Sequence, residues 1–148
     1  MATLGQLQMM YAEIAEQEKR YWSDLVQLVD DLRVRIGVAL GVNSNHSELM
    51  AIGLVRGDGQ FVKAAASQLK RDKRELEFAV QVILSQQASL LPPNVLVSQW
   101  SIKQTSAGIQ LSNKDGGISQ FDDIKDVAAH ITDVFELNIK SYSPYDTK

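Results

Sequence analysis

A regular spacing of apolar residues over the first forty positions constrains the fold of this chain most strongly. Steps of three and four residues select ten positions, of which eight are apolar: Leu4, Leu7, Tyr11, Ile14, Glu18, Tyr21, Leu25, Leu28, Leu32 and Arg35. The residues between them are mostly polar or charged, a pattern typical of an amphipathic helix. Gly37 and Gly41 favour a helix end near residue 40. The sequence therefore predicts a long helix within residues 1–41.

The two halves of this helix differ in the width of their apolar face. A second apolar row widens the stripe in the C-terminal half: Trp22, Val26, Val29, Ile36 and Leu40. Forty helical residues span ~60 Å, whereas the strands that follow run only ~25 Å. We therefore expect the second half to pack on the body of the domain and the first half to project or to pair. The alternative is that the helix breaks early and both halves pack within the chain.

The middle of the chain changes to a period of two. Residues 74–85 place Leu76, Phe78, Val80, Val82 and Leu84 on one side, which predicts a half-buried strand. Apolar runs at 49–56, 95–103 and 109–112 predict further strands, with Leu96, Trp100 and Ile102 sharing one face of the second run.

The apolar pattern is less regular between the strands predicted at residues 49–56 and 74–85. The Asp58-Gly59 step suits a hairpin turn. Residues 61–69 then form the return strand, with a helical turn at 64–66 as the alternative. The polar residues 70–73 are expected to turn into the strand that follows.

A second amphipathic helix is predicted over residues 122–140. Asp122, Asp123 and Asp126 suit the positive end of a helix dipole, and Ser119 with Asp122 fits a loose capping box. The expected buried stripe is Ile124, Val127, Ala128, Ile131, Val134, Phe135 and Leu137. Residues 141–148 are expected to fray as a tail.

The order of these elements predicts an α+β fold. It consists of a long N-terminal helix, an antiparallel meander of four to five strands within residues 48–121, and a C-terminal helix. Short turns permit only antiparallel neighbours, and both helices are expected to cover one sheet face. The length of 148 residues and the lack of a linker predict a single domain.

No segment of this chain has the residue spacing that a known metal-binding or catalytic chemistry requires. It has no cysteine, which excludes disulfides and thiolate ligands. The triplet from His46 to Glu48 lacks the downstream cysteines of a zinc deaminase, and His130 lies alone in the second helix. Neighbouring carboxylates, as in Asp30-Asp31 and Asp122-Asp123, point about 100° apart on a helix. We therefore predict no metal and no cofactor, and we consider an enzyme less favoured than a binding protein.

The favoured hypothesis is a noncatalytic protein–protein interaction domain: an adaptor, an inhibitor or a chaperone-like protein. Its partner is expected to be a second copy, as a homodimer, or another protein. The predicted interaction residues lie on the N-terminal helix: Leu4, Leu7, Tyr11, Ile14 and Tyr21. Exposed apolar stripes of this kind usually mark an interface.

Two alternatives remain open. The basic cluster Lys70, Arg71, Lys73 and Arg74 would suit contact with nucleic acid phosphates, although a net charge of −3 argues weakly against this. A small-molecule binder or enzyme would instead use a pocket between sheet and helices, near Trp22 and Trp100.

The N-terminal residues favour a cytoplasmic location. Residues 1–12 contain no basic residue, and Glu13 follows at once, which differs from a secretory signal. No stretch approaches the ~18 apolar residues of a membrane span, so a membrane is not expected as a partner.

Overall fold

The computed structural model describes residues 1–41, 49–85, 87–88, 90, 92–114 and 116–142. Within these ranges the chain has the predicted α+β architecture: a long helix, an antiparallel sheet and a closing helix. The helices are α1 (Leu4–Ala39) and α2 (Ile124–Lys140). The strands are β1 (Met50–Val55), β2 (Phe61–Lys63), β3 (Lys70–Asp72), β4 (Glu75–Ile83), β5 (Val95–Thr105), β6 (Gly108–Asn113) and β7 (Ile118–Phe121).

The strands of the described sheet pair antiparallel in the order β2–β1–β4–β5–β6–β7, with β3 beside β4. Strands β1 and β3 pair with the same edge of β4, where β1 contacts residues 79–82 and β3 contacts residues 75–77. The seven strands outnumber the predicted four to five. Beyond the predicted return strand, the two additional strands β3 and β7 have only three and four residues, too few for a period of two to be recognised in the sequence.

One face of the sheet forms the core together with both helices. Cross-strand partners on this face include Ile52 with Val80, Leu76 with Ile102, Phe78 with Trp100, and Ile102 with Leu111. The helices add Leu25, Val29, Leu32 and Ile36 from α1, and Val127, Ala128, Ile131 and Phe135 from α2. The predicted placement of both helices on one face is therefore confirmed.

Helix α1 is capped at its N-terminus by a reciprocal pair of hydrogen bonds. The backbone N–H of Gln6 donates to Oγ1 of Thr3 at 3.2 Å, and the backbone N–H of Thr3 donates to Oε1 of Gln6 at 2.9 Å. This capping box satisfies two helix-end donors. The helix ends at Ala39, and Gly41 takes a positive φ of 70° just beyond it. The predicted end near residue 40 is confirmed.

Helix α2 begins one residue after its N-cap, Asp123, whose carboxylate accepts a 2.9 Å hydrogen bond from the backbone N–H of Lys125. The prediction that Leu137 is buried is wrong, because its side chain is 64% exposed. Leu137 follows the buried Phe135 by two residues, which places it about 200° further around the helix. Of the predicted tail, residues 143–148 lie outside the described residues.

The segment after β2 differs from both predicted forms. The return strand ends at Lys63, and a short 3₁₀ helix follows at Ala66–Gln68. The predicted turn over residues 70–73 is wrong in part, because Lys70–Asp72 is strand β3 and the chain turns at Lys73, whose φ is 57°. Backbone pairing to β4 forms this strand, and it requires no apolar side chains.

Candidate functional site

The first part of α1 extends beyond the rest of the described molecule. Every residue from 1 to 17 is exposed, and the first fully buried side chain of the helix is that of Leu25. We call residues 4–17 the projecting segment; at 1.5 Å per residue it is about 21 Å long. The sequence predicts that the second half of the helix packs on the sheet and that the first half projects or pairs; the second half packs as expected, and residues 1–17 are exposed within the chain.

The projecting segment carries large apolar side chains that are each more than half exposed. They are Leu4 (71%), Leu7 (51%), Met9 (69%), Met10 (54%), Tyr11 (72%) and Ile14 (58%). Four of the predicted interaction residues are in this set, and we call them the apolar stripe: Leu4, Leu7, Tyr11 and Ile14. The fifth, Tyr21, lies further along the helix and is partly buried within the chain.

The apolar stripe continues the helix face that packs on the sheet. The buried residues Leu25, Val29, Leu32 and Ile36 follow one another in steps of three and four. The same steps lead back through Tyr21 and Glu18 to the apolar stripe, with Glu18 as the one charged position between them. Because α1 is one continuous helix, the stripe points to the same side as the sheet, beyond the point where the sheet ends.

A set of side chains joins α1 to the β3–β4 turn at this point; we call it the turn cluster (Glu18, Tyr21, Trp22, Arg71 and Arg74). The hydroxyl of Tyr21 donates a 2.5 Å hydrogen bond to the backbone oxygen of Arg74. The guanidinium of Arg74 forms an ion pair with Glu18 and lies 5.5 Å from the ring centre of Tyr21. The guanidinium of Arg71 lies 4.8 Å from the ring centre of Trp22, a cation–π distance. The turn cluster therefore fixes the base of the projecting segment.

The hydroxyl of Tyr21 has a perturbed acidity. Burial is the largest cause acting on Tyr21 and raises its pKa above the usual value of 10.0, whereas a backbone hydrogen bond from Gln104 and the charge of Arg74 act to lower the pKa. The carboxylates of Glu18 and Glu75 add to the rise in the pKa of Tyr21. The neutral phenol is thus the form that suits this position.

A cavity of about 400 Å³ lies under the helix where the sheet ends. We call it the end cavity; its lining consists of Ile14, Gln17, Glu18, Tyr21, Arg74 and Gln104. One wall is therefore the last residue of the apolar stripe, and the opposite wall is formed by the β3–β4 turn and the end of β5. Sequence reasoning missed this site because its residues lie more than fifty positions apart along the chain.

The four basic residues predicted to contact nucleic acid lie on β3 and its turn. Arg71 and Arg74 face α1 in the turn cluster, and Nζ of Lys70 lies 3.8 Å from Oε2 of Glu77. Lys73 occupies the turn itself. Three of these cations thus have aromatic or acidic neighbours in the chain, and nucleic-acid binding stays a prediction.

The described histidine and acidic side chains that are candidates for catalysis do not lie close to one another. The centre of the His130 ring lies 5.8 Å from the centre of the Trp100 ring and 5.4 Å from that of the Phe121 ring. His130 therefore packs against these two aromatic rings. His46 lies outside the described residues. Asp30 pairs with Arg33 at 3.5 Å, and Asp31 accepts a hydrogen bond from Gln27. In the described ranges, no three histidine or acidic side chains come together as a metal site.

The two tryptophans proposed to line a pocket have different surroundings. Trp100 is buried in the core, where its Nε1 donates a 2.7 Å hydrogen bond to Oγ of Ser98, whereas Trp22 lies beside Arg71. Two larger cavities are also present. One of about 670 Å³ lies beside the end of α2 at Leu96 and Ile139, and one of about 540 Å³ lies along Val55, Glu77 and Gln99. Small-molecule binding stays a prediction.

Neither helix of the described chain has an apolar run long enough to cross a membrane. Comparison of the chain with models of known protein families, with curated proteins and with solved structures finds no match.

Proposed function

We propose that this chain is a noncatalytic protein–protein interaction domain that self-associates through the projecting segment of α1. The observation that supports the proposal is the apolar stripe, whose four side chains are each more than half exposed on one face of a continuous helix. An apolar patch of this kind is uncommon on a monomer without a binding role. An adaptor, an inhibitor or a chaperone-like protein of the cytosol would fit this proposal.

The free energy available from covering the stripe is sufficient for a reversible dimer. Full burial of one large apolar side chain stabilises by roughly 1.5–3 kcal/mol. The stripe and the adjacent Met10 are half to three quarters exposed, so covering five side chains in each of two copies contributes on the order of 10–20 kcal/mol. Loss of free motion on association costs about 4–15 kcal/mol. We therefore expect a dimer whose population depends on protein concentration.

The turn cluster supports the proposal because it holds the projecting segment in a fixed direction. A short isolated helix is marginal in water because its first turn is costly to form. Here the packed half of α1 provides that nucleus, and the capping box of Thr3 and Gln6 closes the far end. A partner therefore meets a preformed surface and pays little ordering entropy on binding.

Solution mass across a concentration series tests this proposal. The wild type is expected to approach twice the monomer mass as concentration rises, whereas Leu7→Glu and Ile14→Glu stay monomeric because a charge in the stripe would be buried without a partner. The matched control is Met9→Glu, since Met9 is exposed in the same segment but lies on the opposite side of the helix from the stripe. Circular dichroism checks that all variants keep their helix content.

The outcome against the proposal is a wild type that remains a monomer throughout the series. Equal loss of dimer in Met9→Glu and Leu7→Glu would also contradict it, because the effect would then come from charge on the segment and not from the stripe.

A further inference from the structure

The direction of the apolar stripe restricts how two copies can pair. Ile14 lines the end cavity together with Arg74 and Gln104, so the stripe faces the side of α1 on which the sheet lies. In a parallel pair both stripes would face a common axis, and both sheets would then lie on that axis as well. The two domains would occupy the same space. An antiparallel pair places the two domains at opposite ends of the paired helices.

The charge pattern of α1 favours the same orientation. Residues 1–12 contain no charged side chain, whereas residues 13–20 contain Glu13, Glu16, Glu18, Lys19 and Arg20. Glu18 lies in line with the stripe, so a parallel pair would align it with its own copy, which is repulsive. An antiparallel pair instead places the uncharged part of each helix beside the charged part of the other.

We infer that two copies form an antiparallel helix pair in which Tyr11 packs against the partner's Ile14 and Leu4 reaches the partner's Tyr21. The inference rests on the proposed self-association. In an antiparallel pair the two alternating apolar positions of the three-and-four pattern meet each other. Opposing Leu4 to the partner's Tyr21 and Leu7 to the partner's Glu18 satisfies this rule. It places residues 4–17 of each copy beside residues 8–21 of the other.

This register also supplies each end cavity with an occupant. Leu4, at the tip of one helix, arrives beside the partner's Tyr21, which lines the cavity of about 400 Å³. Ala2, Thr3 and Leu4, at the entering tip, have no charged side chain. The cavity walls of Glu18 and Arg74 already form an ion pair with each other. We therefore expect Leu4 of each copy to fill the end cavity of the other copy.

Introduced cysteines test the orientation directly, because the chain has none of its own. Leu7→Cys and Glu18→Cys chains are oxidised separately and as a mixture, and disulfide-linked dimers are quantified on a non-reducing gel and by intact mass. In the proposed register Leu7 lies opposite the partner's Glu18. In this register the Leu7 residues of the two copies are offset by eleven residues, about 16 Å along the helix axis. That separation exceeds the limit of roughly 7 Å between the Cα atoms of a disulfide.

The expected result is a linked dimer at least about tenfold more abundant in the mixture than in either chain alone, a discrimination that the disulfide distance limit permits. A second mixture, Tyr11→Cys with Ile14→Cys, repeats the test with the Glu18–Arg74 ion pair intact and is expected to link as well. Failure of both mixtures in a protein that is dimeric by mass would overturn the proposed register.

Efficient linking of Leu7→Cys with itself would overturn the antiparallel orientation while leaving self-association standing. A wild type that is monomeric by mass, with no linking in any sample, would instead remove the proposed function itself. The mass measurement therefore shows whether self-association itself has failed or only the proposed antiparallel register.

Discussion

The hydroxyl group of Tyr21 donates a 2.5 Å hydrogen bond to the backbone carbonyl oxygen of Arg74, fifty-three residues further along the chain. The bond joins the long helix to the β3–β4 turn at the point where the sheet ends and the projecting segment begins. The Arg74 side chain then returns to the same helix, where it contacts the Tyr21 ring and pairs with Glu18. The β3–β4 turn thus contacts α1 through both the backbone and the side chain of Arg74.

Replacing Tyr21 with phenylalanine removes this hydrogen bond and keeps the ring. A hydrogen bond of this kind contributes about 0.5–1.5 kcal/mol, and the carbonyl oxygen of Arg74 loses its donor. We expect the free energy of unfolding, measured by urea denaturation at low protein concentration, to fall by about that amount. Tyr11→Phe is the control, since Tyr11 is 72% exposed and its change is expected to be neutral. Equal effects of the two substitutions would contradict the role assigned to Tyr21.

The raised pKa of Tyr21 predicts a loss of stability in alkaline solution. Burial is the main cause of the rise above the usual value of 10.0. Because the folded pKa lies above the unfolded one, the folded state favours the neutral phenol; the stabilisation is complete below pH 10 and is lost as pH rises through the folded pKa. Wild type is expected to lose more stability than Tyr21→Phe between pH 9 and 12, and phenolate absorbance should assign the late-titrating tyrosine to residue 21. A Tyr21 that titrates at or below its usual pKa would refute this prediction.

The two halves of α1 are expected to differ sharply in their contribution to folding. Leu32 is fully buried against the sheet, so Leu32→Ala removes core contacts and is expected to cost about 2–5 kcal/mol. Leu7 is 51% exposed in the projecting segment, so Leu7→Ala is expected to change unfolding of the monomer by less than about 0.5 kcal/mol. Denaturation in urea, at a concentration where the chain is monomeric, measures both. A large effect of Leu7→Ala would mean that the segment packs within its own chain.

The elements that the sequence predicts correctly are those in which a periodic pattern extends over many residues. The helix period continues from Leu4 into the buried half of α1, and the alternation around Phe78 extends through a nine-residue strand. The three-residue strand Lys70–Asp72 has no such pattern, since it is held by backbone pairing to β4 while its side chains remain exposed. Its composition alone therefore indicated a turn.

The turn cluster illustrates why the site was only partly predictable. Periodicity identified the apolar stripe and included Tyr21 in it, but Tyr21 is used within the chain because it meets Arg74. The same local charge density that suggested a nucleic-acid surface places Arg71 beside Trp22. Such contacts depend on tertiary placement, which local spacing does not encode.

Gly108 provides a test of the β5–β6 hairpin that is independent of α1. Its φ of 123° is a conformation that only glycine adopts readily, and an added Cβ would lie 2.5 Å from the backbone oxygen of Phe121 on β7. Gly108→Ala therefore has to strain the turn and displace β7, and it is expected to lower the free energy of unfolding by about 1–3 kcal/mol. Gly57→Ala is the matched control, because a Cβ there meets nothing within 4 Å. If both variants unfold at the wild-type urea concentration, β7 does not pair with β6 in the register that opposes Ile109 to Phe121.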